Sequence, residues 1–135
     1  RCAKRELIIG TDAAASQPPR SIQELGVKGT VMEWLEPWCS ATQIGEQVAQ
    51  GWQRQLQIEV PPGHALYGIP VKLLARGNGD DALFELLDGS GRVANVHLTW
   101  SKSQERLPWP GTDIHSSLQD WVEKVMVPEH QEWVS

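Results

Sequence analysis

Three short apolar segments, at residues 65–74, 82–87 and 93–100, are the feature that most constrains the fold of this chain. The connections between them, Gly-Asn-Gly-Asp at 77–80 and Asp-Gly-Ser-Gly at 88–91, contain the residue types that favour tight turns. Strands joined by short turns pair antiparallel with their neighbours in sequence. The sequence therefore predicts an antiparallel meander of at least three strands, followed by a polar loop at 101–112 and a short capped helix.

Alternation of side chains predicts which face of each strand is buried. Two apolar sets recur at every second position and are expected to face the core: Ile69, Val71, Leu73 and Ala75 in the first strand, and Ala94, Val96, Leu98 and Trp100 in the third. Pro70 has no N–H to donate, so either the first strand is expected to be an edge or Pro70 is expected to lie at a bulge. His97 belongs to the opposite, more polar face of the third strand.

Helices are predicted before and after this meander in the sequence. Ser40-x-x-Gln43 has the pattern of a capping box, and apolar side chains follow at intervals of four residues. These side chains are Ile44, Val48, Trp52 and Leu56. Further capping patterns begin at Ser21, Thr30 and Ser116, and the last predicts a helix that ends at Pro128.

These elements predict an α+β fold, in which an antiparallel meander sheet of three or more strands packs against N-terminal helices and one C-terminal helix. We expect residues 21–135 to form a single domain of this kind. Residues 1–20 are expected to be a flexible or edge-strand segment. Trp52 and Trp121 lie on apolar faces, as Trp100 does, and all three are interpreted as core residues.

The charge and composition of the chain narrow the classes of partner. Its 135 residues include 12 basic and 17 acidic side chains, for a net charge of −5, and the basic residues are scattered. Such a surface repels phosphate backbones, so nucleic acid is not an expected partner. There is no apolar run of membrane-spanning length, and we expect a cytoplasmic protein with no membrane partner. Cys2 and Cys39 are interpreted as reduced thiols, with Cys39 buried.

The sequence contains no complete set of residues for a known chemistry. Its four histidines are too widely spaced to indicate a metal site, and no nucleophile motif occurs, so we expect no metal, no cofactor and no enzymatic activity. The candidate residues are instead expected to bind a partner: Asp80, Asp81, Asp88, His97 and Trp109. The aspartates also fit ordinary turn chemistry, and the histidine fits a hydrogen-bonded structural role. Trp109, between two prolines, fits an interface anchor and a packing residue equally well.

Several short strings occur in a specific order: VPPGH at 60–64, LYG at 66–68, DDALFE at 80–85, VHLTWS at 96–101 and PWP at 108–110. Over residues 34–133 this pattern resembles the C-terminal part of a family of small bacterial proteins for which no reaction is established. In size and acidic character the chain is also similar to the immunity proteins encoded beside bacterial toxins. That similarity implies a cognate protein toxin as the partner, neutralised by occlusion.

Two functions from different classes follow from these observations. The first is an immunity-type protein whose aspartates steer a basic toxin surface and whose Trp109 enters a pocket on it. The alternative is a small enzyme or ligand-binding domain, with His97, Thr99 and Glu85 or Asn95 lining a pocket on the polar face of the sheet. A deep pocket around His97 would favour the alternative. Pairing of edge strands would give a homodimer as a third, weaker option.

Overall fold

Short turns and alternating apolar residues produce a five-stranded antiparallel sheet in the computed structural model, which describes residues 32–135. Leu35–Ser135 form one compact unit. The elements in chain order are β1 (Cys39–Ser40), α1 (Ala41–Ile44), α2 (Glu46–Glu59), β2 (Val71–Arg76), β3 (Asp81–Leu86), β4 (Val93–His97), β5 (Gly111–His115), α3 (Leu118–Trp121), a π-helical turn (Val122–Met126) and α4 (Val127–Val134). The strands lie in the order β1-β2-β3-β4-β5, and the predicted α+β class is confirmed.

Three predicted boundaries of the sheet are wrong. One is the end of the third strand, which is His97 and not Trp100. The first strand begins at Val71 and not at residue 65, because residues 61–68 form consecutive turns closed by backbone bonds from His64 N to Pro61 O and from Tyr67 N to His64 O. Pro70 therefore precedes the strand. This strand lies between β1 and β3, and its bulge falls between Leu73 and Ala75, so the expectation of an edge strand or of a bulge at Pro70 is wrong. The predicted loop at 101–112 contains the start of β5, a short strand whose partly buried residues show no clear alternation.

A bulge in β2 divides its apolar residues between the two faces of the sheet. Leu73 lies opposite Phe84 in β3, whereas Ala75 lies opposite Leu83, so the register shifts between Leu73 and Ala75. Residues directly opposite each other share a face. The prediction that Ala75 shares a face with Leu73 is therefore wrong, and each face of the sheet receives a covering layer.

Helix α2 covers the face that carries Leu73 and Phe84. The predicted capping box is confirmed, since Ser40 Oγ accepts from Gln43 N and the Gln43 side chain accepts from Ser40 N. The helix is then interrupted at Gly45, which has a φ of 98°. This break changes the angular phase of α2. Its buried apolar residues are Ala49, Trp52 and Leu56, and the prediction that Val48 faces the core is wrong.

Tryptophan side chains and the C-terminal helices cover the opposite face. Trp121 is fully buried, contacts Trp38 edge to face at 4.8 Å, and donates its Nε1–H to Asn95 Oδ1 of β4 at 2.8 Å. Asn95 is the cross-strand partner of Leu83, so this contact lies on the Leu83 face. The prediction that Trp121 belongs to the core is confirmed.

The C-terminal helical segment is longer than the sequence predicts. Its N-cap is Ser117, one residue after the predicted Ser116, and helix continues to Val134 through Pro128. Pro128 lies in the first turn of α4, directly after the π turn. The π turn ends with the bond from Val127 N to Val122 O, and the helix continues past the missing N–H of Pro128, so the predicted stop at this residue is wrong.

Three remaining expectations concern the N-terminal part and the cysteines. The capping pattern at Ser21, the segment 1–20 and Cys2 lie outside the described residues, and the chain is not helical from Met32 to Leu35, where the pattern at Thr30 predicts a helix. Cys39 is buried as predicted, but it is disulfide-bonded, so its interpretation as a reduced thiol is wrong. Among residues 32–135, every helix falls short of the length and hydropathy that a bilayer crossing requires.

Candidate acidic and aromatic recognition site

One end of the sheet brings Asp81 and His97 together. Asp81 is the first residue of β3, His97 is the last residue of β4, and Gly111 is the first residue of β5. The register places all three in one cross-strand row. Within this row His97 Nδ1 lies 2.9 Å from Asp81 Oδ1, a distance at which the ring N–H donates to the carboxylate.

The environment of His97 favours its protonated form. The hydrogen bond to Asp81 raises the pKa of His97, partial burial opposes this effect, and the charges of Asp81, Asp80 and Glu59 raise the pKa further. The side chain is nevertheless 63% exposed. A hydrogen-bonded histidine was one of the two sequence interpretations. The structure adds that its imidazole is exposed to solvent and interacts with the carboxylates of Asp81, Asp80 and Glu59.

Asp80 orients Trp100, which the sequence placed in the core. The Asp80 carbonyl accepts the backbone N–H of Leu98 at 3.1 Å, and its carboxylate accepts the indole N–H of Trp100 at 3.0 Å. Trp100 has a φ of 59° and is 42% exposed, with its ring edge to face against Trp52 at 4.9 Å. The core interpretation is wrong for Trp100 and right for Trp52, because β4 ends before the alternation reaches Trp100.

A buried carboxylate, Glu59, holds Trp100 in this backbone conformation. Glu59 is fully buried at the end of α2 and accepts hydrogen bonds from Trp100 N at 2.7 Å, Thr99 N at 3.0 Å and Gln55 Nε2 at 2.6 Å. Sequence reasoning missed it because a glutamate near a helix end ordinarily faces water. The available signal was its spacing, three residues after Leu56 on the buried stripe.

Trp109 lies beside the same row and is 52% exposed. A Cβ at Gly111 would lie 3.6 Å from the Trp109 ring, so the indole covers the place of the missing side chain next to His97. His64 fixes the loop that carries Trp109. Its Nε2 donates to Pro110 O at 2.9 Å, and its Nδ1 accepts from Leu66 N at 3.0 Å. We call Asp80, Asp81, His97, Trp100 and Trp109 together the acidic end.

Asp88 does not belong to the acidic end. It follows the other terminus of β3, and six strand residues place it about 20 Å from Asp81. Its carboxylate accepts Ser90 N at 3.0 Å and pairs with Arg92 at 3.1 Å. The Ser90 side chain and backbone, helped by Arg92, lower the pKa of Asp88 to about 2. Its role in its own turn is the alternative that the sequence analysis held open.

The acidic end is an open surface of carboxylates and half-exposed indoles. Within the described residues the His97 side chain stays 63% exposed, and a largely exposed ring suits contact with a macromolecule better than enclosure of a small ligand. Within residues 32–135, no group of three or more His, Cys, Asp or Glu side chains is arranged to hold a metal ion. The acidic end therefore offers shape, aromatic area and negative charge.

Comparison with protein-family models, with curated proteins and with solved structures found no match to this chain. The resemblances noted from the sequence therefore stay predictions, and the function is argued from the acidic end itself.

Proposed function

We propose that this chain is an immunity-type, protein-binding protein that neutralises a cognate bacterial toxin by occluding it with the acidic end. The observation that carries the proposal is the fixed arrangement of two carboxylates, Asp80 and Asp81, with two half-exposed indoles, Trp100 and Trp109. Tryptophan is enriched among the residues that dominate binding energy at interfaces. Carboxylates beside it steer a basic partner and select against acidic ones.

Preorganisation supports a binding role for this end of the sheet. Glu59 ties down the backbone of Trp100, and His64 binds the carbonyl of Pro110 next to Trp109. Side chains that are already ordered lose less conformational entropy when a partner docks. The indoles therefore present their area to a partner at low cost.

The alternative, a small enzyme or ligand-binding domain around His97, needs an enclosed site. Its strongest support is the Asp81–His97 hydrogen bond, which orients an imidazole as in general acid–base pairs. The exposure of His97 supports the binding function instead. Thr99, a residue of the same hypothesis, donates its hydroxyl to Glu105 and its backbone N–H to Glu59, which supports a structural role for it.

The compartment and the class of partner belong to the same proposal. Disulfides persist in oxidising compartments, so the bonded Cys39 supports function outside the reducing cytoplasm that we expected from the sequence. The negative acidic end supports a basic protein surface as the partner and not a nucleic acid. Homodimerisation through the sheet edges stays a prediction.

The experiment pairs this chain with the protein encoded beside its gene. We expect the chain to relieve the growth arrest that this neighbour causes and to bind it. Replacing Asp80 and Asp81 by lysine is expected to slow association about ten- to hundredfold at low salt, because steering charges act mainly on the association rate. Trp109→Ala is expected to speed dissociation, since anchor side chains act mainly on the lifetime of the complex.

A charge-matched control uses Glu46→Lys together with Asp88→Lys. Glu46 begins α2, about 20 Å from Glu59 at its other end, and Asp88 lies at the far end of β3. This pair changes the net charge as much as the first pair does. If both pairs slow association equally, the acidic end is not the interface, and if the neighbour does not bind at all, the immunity function is wrong.

A further inference from the structure

We propose that His97 is a proton-operated control on the acidic end, which holds a basic partner while the imidazole is neutral and releases it when the imidazole is protonated. This inference rests on the proposed function, since it concerns the regulation of the same surface. The first observation behind it is the position of His97 in the sheet. His97 is the central residue of the row formed with Asp81 on β3 and Gly111 on β5.

The position of His97 makes its charge matter to a partner. On one side it binds Asp81 at 2.9 Å, and on the other side it adjoins Gly111, which Trp109 covers. Protonation therefore places an imidazolium between the aspartates and the indole that a basic partner would contact. Because the ring is 63% exposed, water and partner side chains reach it directly.

Arg76, the last residue of β2, lies at the same end of the sheet, where its guanidinium donates to Gly79 O at 3.2 Å, next to Asp80. The charged groups that act on the pKa of His97 are all carboxylates. Asp81 faces it from β3, Asp80 from the preceding turn and Glu59 from the end of α2. Glu129 of α4 interacts in turn with Asp81. From β5 the opposing residue is Gly111, which carries no charge. These carboxylates raise the pKa of His97 above its ordinary value.

The direction of the effect follows from linkage. A cation docked beside His97 disfavours the imidazolium, so binding lowers the pKa of His97 and releases a proton. By reciprocity, protonation of His97 weakens binding of the cation by the same factor. Affinity for a basic partner is therefore expected to fall, by about tenfold, as pH drops from about 8 to about 5.5.

Two variants fix the charge state of this position. His97→Gln is neutral at every pH, and His97→Lys is positive throughout the same range. The probe is a decalysine peptide, titrated calorimetrically into the full disulfide-bonded chain at about 20 mM salt, where charge interactions are least screened. We expect pH-dependent affinity in the parent chain, high and pH-independent affinity in His97→Gln, and low affinity at all pH values in His97→Lys.

Failure of this inference is distinguishable from failure of the proposed function. If decalysine binding is unchanged by Asp80→Asn with Asp81→Asn, the acidic end is not the basic-partner surface. If binding depends on these aspartates but His97→Gln retains the full pH dependence, the proton control is wrong and the surface stands. Nuclear magnetic resonance titration of His97, without any peptide, is expected to show a raised pKa that falls in Asp81→Asn, and an unchanged titration would also overturn the control.

Discussion

Three carboxylates of this chain show how strongly the surroundings of a residue decide its role. Asp88 is exposed in a turn and its pKa is lowered, first by hydrogen bonds from Ser90. Burial instead raises the pKa of Glu129, although the indole N–H of Trp38 binds it at 2.9 Å. Glu59 is fully buried and accepts bonds from two backbone N–H groups. Glu59 thereby connects α2 to the acidic end through hydrogen bonds.

Replacing Glu59 by glutamine is expected to lower the free energy of unfolding by about 1–3 kcal/mol. The amide keeps the shape of the side chain but turns an NH₂ group toward a backbone donor, which leaves a buried N–H unsatisfied. Urea unfolding measures the loss. The matched control is Glu123→Gln, which alters the same kind of side-chain bond, from Gln119 at 2.9 Å, on an exposed surface. An equal effect in both variants would show that burial of Glu59 contributes nothing.

Glu129→Gln is expected to stabilise the chain at neutral pH and to remove part of its pH dependence. Because burial raises the pKa of Glu129 above the ordinary 4.5, the folded state binds its proton more tightly than the unfolded state. The free energy of unfolding of the parent chain therefore gains from this residue as pH falls from the raised pKa to 4.5. Thermal unfolding across that range, in parent and variant, measures the difference. A variant that loses stability at neutral pH would contradict the argument.

The role of a residue was predictable from the sequence where its contacts are local, and it was not predictable where they form only on folding. Asp88 acts within four residues of itself, so the turn composition was sufficient to suggest its role. Glu59 and Trp100 are 41 positions apart, and no local pattern indicates that the carboxylate captures the backbone N–H. The strand alternation even predicted the wrong environment for Trp100.

Among the secondary-structure elements, the break between α1 and α2 shows what a single backbone conformation controls. Gly45 has a positive φ, and its missing side chain would meet open space. The break lets α1 and α2 differ in angular phase, so that Ala49, Trp52 and Leu56 of α2 are buried whereas α1 has no buried residue. Gly51 lies inside α2, where a side chain would also meet open space.

The same substitution is therefore expected to have opposite signs at these two glycines. Gly45→Ala should lower the free energy of unfolding by about 1–2 kcal/mol, since an alanine at this φ is strained. Gly51→Ala should raise it by about 0.5–1 kcal/mol, because alanine loses less conformational freedom in a helix. Chemical denaturation of both variants measures the two values. If both variants are more stable than the parent chain, α1 and α2 can form one continuous helix through residue 45, and the fold does not require the break.

The secondary-structure elements were predictable where a pattern was long and regular. The meander, the capping box and the α+β class followed from turn composition and alternation. Three features were not predictable because each depends on a neighbouring element. The bulge in β2 depends on the register of β3, the strand β5 depends on the edge of β4, and the π turn depends on the first turn of α4. The acidic end itself was predicted in part. Asp80, Asp81, His97 and Trp109 were chosen from the sequence, whereas Asp88 lies elsewhere and Trp100 was missed.

At the largest scale described, that of the compact unit Leu35–Ser135, one sheet is shared by two covering layers. Trp52 of α2 belongs to the layer on the Leu73 face, and Trp121 belongs to the layer on the Leu83 face. The acidic end lies where these layers meet the end of the sheet, since Glu59 reaches it from α2 and Glu129 interacts with Asp81 from α4. Its geometry therefore depends on both layers at once.

This architecture predicts that Trp52→Phe and Trp121→Phe each lower the urea midpoint of a single unfolding transition, in which the sheet and both layers unfold together. Each replacement removes packed indole area, so we expect each to lower the free energy of unfolding by about 1–3 kcal/mol. Trp121→Phe also leaves the side-chain oxygen Oδ1 of Asn95 without its donor, so its loss is expected to be the larger one. Urea unfolding followed by far-ultraviolet circular dichroism and by fluorescence should give coincident curves in both variants. Separate midpoints in Trp121→Phe, with the C-terminal helices melting before the sheet, would show that the second layer is an independent unit. The acidic end would then lose its support from α4 before the sheet itself unfolded.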